Sequence, residues 1–198
     1  MPFSNYGLDH LVAQEMSKVT ECRAADVVSS FPQSEHWVSN FYLNSFLGSP
    51  LPPEATRFGF AFLRRAEAAF IEYEQARAAL SNFVAASPRK PSLYFRALHH
   101  FEMTIAMLYQ SYNFTRQLTG KDFFRGGDGS PYESLHHIYN SSRYFNVDLP
   151  YDHLHAVWIT NAGITTSDYS LSFEQLTEFL EEVGQMANKI AGGSLSSA

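Results

Sequence analysis

The sequence predicts an all-α protein: an antiparallel helical bundle with two long central helices and a small β-hairpin before the last helix. Three observations carry this prediction. Apolar residues recur in alternating steps of four and three through two long stretches, which keeps one side of each helix against a neighbour. Proline and glycine clusters punctuate those stretches. After the segment Val147-Asp-Leu-Pro-Tyr-Asp-His153 the period shortens and β-branched residues gather.

Along the chain, residues 1–50 read as a helical extension packed on the bundle. It comprises two helices, about Asp9–Ser30 and Glu35–Phe46, parted by Phe31-Pro-Gln-Ser34 and closed by Gly48-Ser-Pro-Leu-Pro-Pro53. The bundle proper spans 54–192. Its first long helix runs from about Glu54 to Ala86, with Phe62, Ala66, Ala69, Tyr73, Ala76, Leu80 and Phe83 on one stripe. Ser87-Pro-Arg-Lys-Pro-Ser92 breaks it. The second, about Ser92 to Leu118, repeats the device with Tyr94, Leu98, Phe101, Ile105, Leu108, Tyr112 and Thr115. So short a link places the two antiparallel. Gly120 ends that helix, Arg125-Gly-Gly-Asp-Gly-Ser-Pro131 reads as a loop, and a further helix follows from Tyr132 to Phe145. The hairpin is expected at about 156–170, with Gly163 at a left-handed position in its Asn161-Ala-Gly163 loop. Ser172 and Gln175 form a capping box for the last helix, whose stripe is Phe173, Leu176, Leu180, Val183 and Ile190. Residues 193–198 read as a disordered tail.

Composition narrows the function classes. The 198 residues are 45% hydrophobic and 15% aromatic, which excludes a disordered chain. Cys22 is the single cysteine, so neither an internal disulfide nor a cysteine-based zinc site is available. No basic leader with an apolar core opens the chain, and no run reaches the roughly 18 apolar residues of a membrane span. A cytoplasmic location without membrane is expected. The sequons at Asn113 and Asn140 are then chance matches. The net charge of −6 argues against a general grip on nucleic acid. Residues 89–125 nevertheless carry six basic side chains against Glu102 and Asp122.

The helix after the glycine loop holds the densest polar cluster, Leu135-His-His-Ile-Tyr-Asn-Ser-Ser-Arg-Tyr-Phe-Asn146. At about 100° per residue, Leu135, Ile138, Ser142 and Phe145 form its core face, and His136, Asn140 and Arg143 line its border. His137, Ser141 and Tyr144 point further out. A second polar line, with His99, Glu102, Tyr109, Asn113 and Arg116, borders the preceding helix.

These residues admit several chemistries. His99 with Glu102, and Glu133 with His136, stand three apart, as carboxylate and histidine do in metal-binding bundles. A full site needs two such pairs plus two further inward glutamates, and one pair here is reversed. His153 and His155 are ligands or a solvated turn. Cys22 fits an apolar packing role, and no nucleophile-elbow, phosphate-loop or dinucleotide motif occurs. The bland alternative treats Arg143 as structural, its stem along Tyr139 and its head paired with Glu133, Asp148 or a helix end.

Three stretches, Phe95-Arg-Ala-Leu-His-His to Leu118, Leu135 to Asn146, and Val157-Trp-Ile-Thr-Asn-Ala-Gly-Ile to Val183, together resemble the HEPN-type helical domains of bacterial proteins. The likeness covers roughly residues 93–190, with Asn140-x-x-Arg143 before an aromatic and Trp158-x-Thr-Asn161-x-Gly163 as its local features. It implies an antiparallel bundle that forms a homodimer, here through the helices around Tyr94–Tyr112 and Leu135–Phe145. It also implies RNA or nucleotide contact in a toxin–antitoxin or phage-defence setting, and a protein partner encoded nearby. The family's ribonucleases use Arg-x(4–6)-His. Downstream of Arg143 the permitted positions hold Asp148, Leu149 and Pro150, and the other nine arginines also lack the histidine. The expectation is therefore a non-catalytic or degenerate member that needs no cofactor and binds through Asn140, Arg143, Tyr144, His99 and Arg116. The alternatives are a ribonuclease using Arg143 with His136 or His137, and a metal bundle using His99, Glu102, Glu133 and His136.

Overall fold

A computed structural model describes residues 4–48, 53–143 and 154–193. Six helices and a small sheet follow one another as α1 (Asn5–Leu11), α2 (Trp37–Leu47), α3 (Pro53–Ala85), α4 (Pro91–Thr119), α5 (Pro131–Arg143), β1 (Trp158–Ile159), β2 (Gly163–Thr165), β3 (Ser170–Ser172) and α6 (Phe173–Ala191). Helix dominates, as the sequence predicts.

Helices α3 and α4 are the frame. With 33 and 29 residues, they are about 50 and 40 Å long at 1.5 Å per residue. Every residue of both predicted stripes is buried. Phe83 meets Tyr94 at 5.5 Å between ring centroids and Tyr73 meets Phe101 at 6.3 Å, both edge to face, which fixes the antiparallel register. Helix α6 closes the layer: the Phe173 ring lies 5.3 Å from that of Phe101, and Tyr73 Oη is 3.3 Å from Thr177 Oγ1. The apolar stripes of α3 and α4 are thus consumed inside one chain.

The N-terminal region departs from expectation. Asp9–Ser30 is not a helix. Only α1 is helical there, and residues 12–36 form an irregular strap with three short 3-10 turns. The strap still buries Ala13, Met16, Val19, Ala24, Val27 and Phe31 in the same core as the long helices. Its polar backbone is satisfied by the 3-10 turns and by side chains from elsewhere in the chain, with no continuous helix. Asp9 accepts from Ser17 N, and Asn161 Oδ1 accepts from Thr20 N at 2.9 Å. Arg77 Nε donates to the Ala24 carbonyl, Tyr73 Oη to that of Ala25, and Arg89 to those of Met16 and Ser17. Glu15 sits at φ 59°, a left-handed conformation that no continuous helix accommodates.

Close packing clamps the strap from behind. A Cβ on Gly184 of α6 would come within 2.6 Å of the Phe31 ring, so only glycine admits that ring. The Trp37 indole N–H donates to Asn188 at 2.6 Å. Helix α2 has no side-chain cap of its own; Glu67 of α3 accepts from the Val38 N–H at 2.7 Å instead.

The expected hairpin is a three-stranded antiparallel sheet in the order β1-β2-β3. The second arm bends back at Thr166–Tyr169, where the Thr166 hydroxyl accepts from Tyr169 N, and β3 runs straight into α6. Gly163 is not left-handed. It lies in β2, where a Cβ would fall 2.0 Å from the Leu171 carbonyl, so its role is close strand approach. The capping box of Ser172 and Gln175 forms as predicted.

Candidate functional site

Helix α5 carries the predicted polar line, and its start explains the glycine-rich loop. The Glu133 carboxylate turns back and accepts from the N–H groups of Gly127 and Gly129, the latter at 2.8 Å. These donors hold its pKa below the usual carboxylate range. The loop thus cradles an anion that the protein itself supplies. The same bonds take Glu133 away from both roles the sequence offers it: it does not pair with Arg143, and it does not face His136 as a metal ligand.

His136 lies between α4 and α5. Asn140 Nδ2 stands 3.0 Å from Nε2, and Tyr109 Oη stands 2.9 Å from Nδ1. An amide nitrogen only donates, so Nε2 accepts and the ring proton sits on Nδ1, donating to Tyr109. Burial first, and the neighbouring His137 second, lower its pKa and favour this neutral form. Tyr109 stacks on Tyr139 at 4.4 Å. His137 turns to the sheet, lying flat on Tyr169 at 3.9 Å, with its Nε2 3.8 Å from Glu133. Each imidazole therefore fastens α5 to a neighbour. Among the described residues no hydrogen bond joins either one to Arg143.

Arg143 ends α5 and is exposed, its guanidinium carbon 5.1 Å from the Tyr139 ring centre. The cation–π placement matches the predicted course of its stem; no carboxylate among the described residues pairs with its head. It borders a cleft of about 380 Å³ between α4, the last turn of α5 and residues 154–157. Phe95, Leu98 and Val157 line its apolar wall, and His99, Glu102 and His155 supply polar groups. Glu102 makes no hydrogen bond among the described residues, and burial pushes its pKa up to about 7. At neutral pH it both donates and accepts. His155 is pinned: its Nε2 is 2.9 Å from the Val12 carbonyl and its backbone N–H is held by Gln14. A carbonyl only accepts, so Nε2 carries a proton.

The sequence-derived residues therefore divide. His99, Glu102 and Arg143 come together at the cleft, while His136 and Asn140 belong to the α4–α5 seam. Arg116 stands further along α4, 3.5 Å from Asp122, beside a separate cavity of about 110 Å³. Tyr144, Asp148 and His153 lie outside the described residues. The four metal candidates do not converge: among the described residues no three His, Cys, Asp or Glu side chains gather around one point. Sequence reasoning missed Glu182, which accepts from the phenols of both Tyr112 and Tyr132. Its partners are 70 and 50 residues away, so no local signal marks it.

The chain matches no family model, no curated protein and no solved structure. No described helix is long and apolar enough to cross a membrane.

Proposed function

We propose that this is a HEPN-like, non-catalytic binding or regulatory protein that contacts RNA or a nucleotide at the Arg143 cleft. It acts as a homodimer in the cytoplasm, in a toxin–antitoxin or defence setting with a protein partner encoded nearby. One observation carries the binding role: an exposed guanidinium laid over Tyr139 at the rim of a cleft with an apolar wall. Arginine's planar fork suits phosphate, and the wall with its carboxyl and imidazoles suits a flat, partly polar body beside it. The engagement of His136 and His137 in packing supports the non-catalytic reading, because a ribonuclease needs an imidazole free to move the 2′-OH proton.

The test titrates fluorescently labelled single-stranded RNA and a mononucleotide with purified protein at low and moderate salt. Binding that weakens with salt, and that falls at least tenfold in Arg143→Ala, is the expected result. Absence of binding at low salt, or binding indifferent to Arg143→Ala, overturns the ligand. Metal-independent cleavage of the RNA that Arg143→Ala abolishes overturns the non-catalytic assignment.

A further inference from the structure

The largest unexplained feature of the surface is α2. Its sequence, Trp-Val-Ser-Asn-Phe-Tyr-Leu-Asn-Ser-Phe-Leu from Trp37 to Leu47, contains no charged residue. Trp37 and Phe41 are buried in the core, with Val38 packed against it. The opposite side bares Tyr42, Leu43, Phe46 and Leu47, with Phe46 81% and Leu47 78% exposed. Phe60 of α3 continues the patch, and a groove runs between it and Tyr42. Isolated exposed apolar side chains are ordinary, but a contiguous set on one uncharged helix marks a surface meant to be covered.

We infer that α2 and the first turns of α3 form the contact between two copies of this chain. Three features select a second copy over other occupants. First, the patch holds both a ridge, Phe46 and Leu47, and an adjoining groove along Phe41, Tyr42 and Phe60. A two-fold contact needs both shapes on one surface, so that each copy's ridge enters the other's groove. Second, the face itself is uncharged: α2 holds no charged side chain, and Arg57 is the one charged residue lining the groove. An uncharged face meets its own copy without the repulsion that facing like charges would bring. A membrane surface would call for a basic face, which α2 lacks. Third, the area suffices. At about 150–200 Å² for a fully bared large side chain, the five residues offer roughly 500 Å² per protomer. The surrounding Ser, Asn and stem carbons bring this near the ~800 Å² per partner of a stable interface.

This deepens the dimeric part of the proposed function and does not depend on the ligand. It also moves the contact away from the faces of α4 and α5 that the sequence suggests.

The experiment measures molar mass by light scattering or sedimentation on the full chain near 100 μM, a concentration that reveals contacts of modest affinity. The expected result is twice the 22.4 kDa chain mass. It should revert to the monomer in the double variant Phe46→Asp, Leu47→Asp with an unchanged circular dichroism spectrum. Both positions are exposed, so the monomer fold should tolerate the change. Ile71→Asp, at an exposed apolar site on α3 outside the patch, is the control and should leave the dimer intact. A wild-type monomer, a dimer that survives the double variant, or one that Ile71→Asp dissolves equally overturns the inference. RNA binding by a monomer would leave the Arg143 reading standing, and a dimer without RNA binding would leave this one standing.

Discussion

The α3–α4 hairpin and the strap of residues 12–36 bury comparable side chains but are held in opposite ways. The hairpin satisfies its backbone within each helix, which frees its side chains to fill space or, as with Tyr73 and Arg77, to bond outward. The strap satisfies its backbone partly through its short 3-10 turns and otherwise through the side chains of Asp9, Tyr73, Arg77, Arg89 and Asn161. Burial alone therefore does not specify a helix. What separates the two is whether the N–H and C=O groups find partners locally or across the fold.

Substitutions sharpen the contrast, beginning with the largest effect. Phe101→Ala empties a site between Tyr73 and Phe173 and should cost about 3–5 kcal/mol in urea unfolding. A loss under about 1 kcal/mol would mean the hairpin is not the frame. Gly184→Ala drives a methyl into Phe31 and should cost about 1–3 kcal/mol. Phe31→Leu in the same background should recover part of that loss, which would locate the clash at the strap. Asn161→Ala removes the bonds to Thr20 N, Glu21 N and the Lys18 carbonyl, for about 1–2 kcal/mol. Its signature should be local: faster amide exchange at Thr20 and Glu21, with α3 and α4 protected as before. Uniform acceleration would show that strap and hairpin open together.

The smallest effect has the opposite sign. The folded-state pKa of Glu102, about 7, lies above its ordinary 4.5. Folding thus favours its neutral form: the contribution is full below about pH 4.5 and lost as the pH rises through 7. Glu102→Gln should match the wild type near pH 4 and exceed it by about 1 kcal/mol near pH 8. Unfolding midpoints across that range decide it, and parallel curves would show that the carboxyl is solvated.

The same contrast explains what could be read from the sequence. The stripes from Phe62 to Phe83 and from Tyr94 to Thr115 were legible because periodicity is a local property, and the Ser172–Gln175 box because capping is too. The strap reads as a helix in the sequence because Ala13, Met16, Ala24 and Val27 suit a helical pattern, while side chains that bond its backbone lie up to 141 residues away. Gly163 was recognised as special for the wrong reason: a strand crowded by Leu171 requires glycine just as a turn does, and only the neighbour tells them apart. At the site, spacing correctly grouped His99 with Glu102 on one face of α4. It also put His136 and Asn140, four apart, within reach of each other, but could not foresee that Glu133 is claimed by Gly127 and Gly129. A partner six residues off in a loop leaves no periodic trace.

Ser172 is both the final residue of β3 and the cap that starts α6. With no loop between them to absorb a rotation, sheet and helix must tilt as one lever. Val157, on the cleft wall, adjoins the first strand of that sheet, so the cleft wall is tied to α6 through three hydrogen-bonded strands.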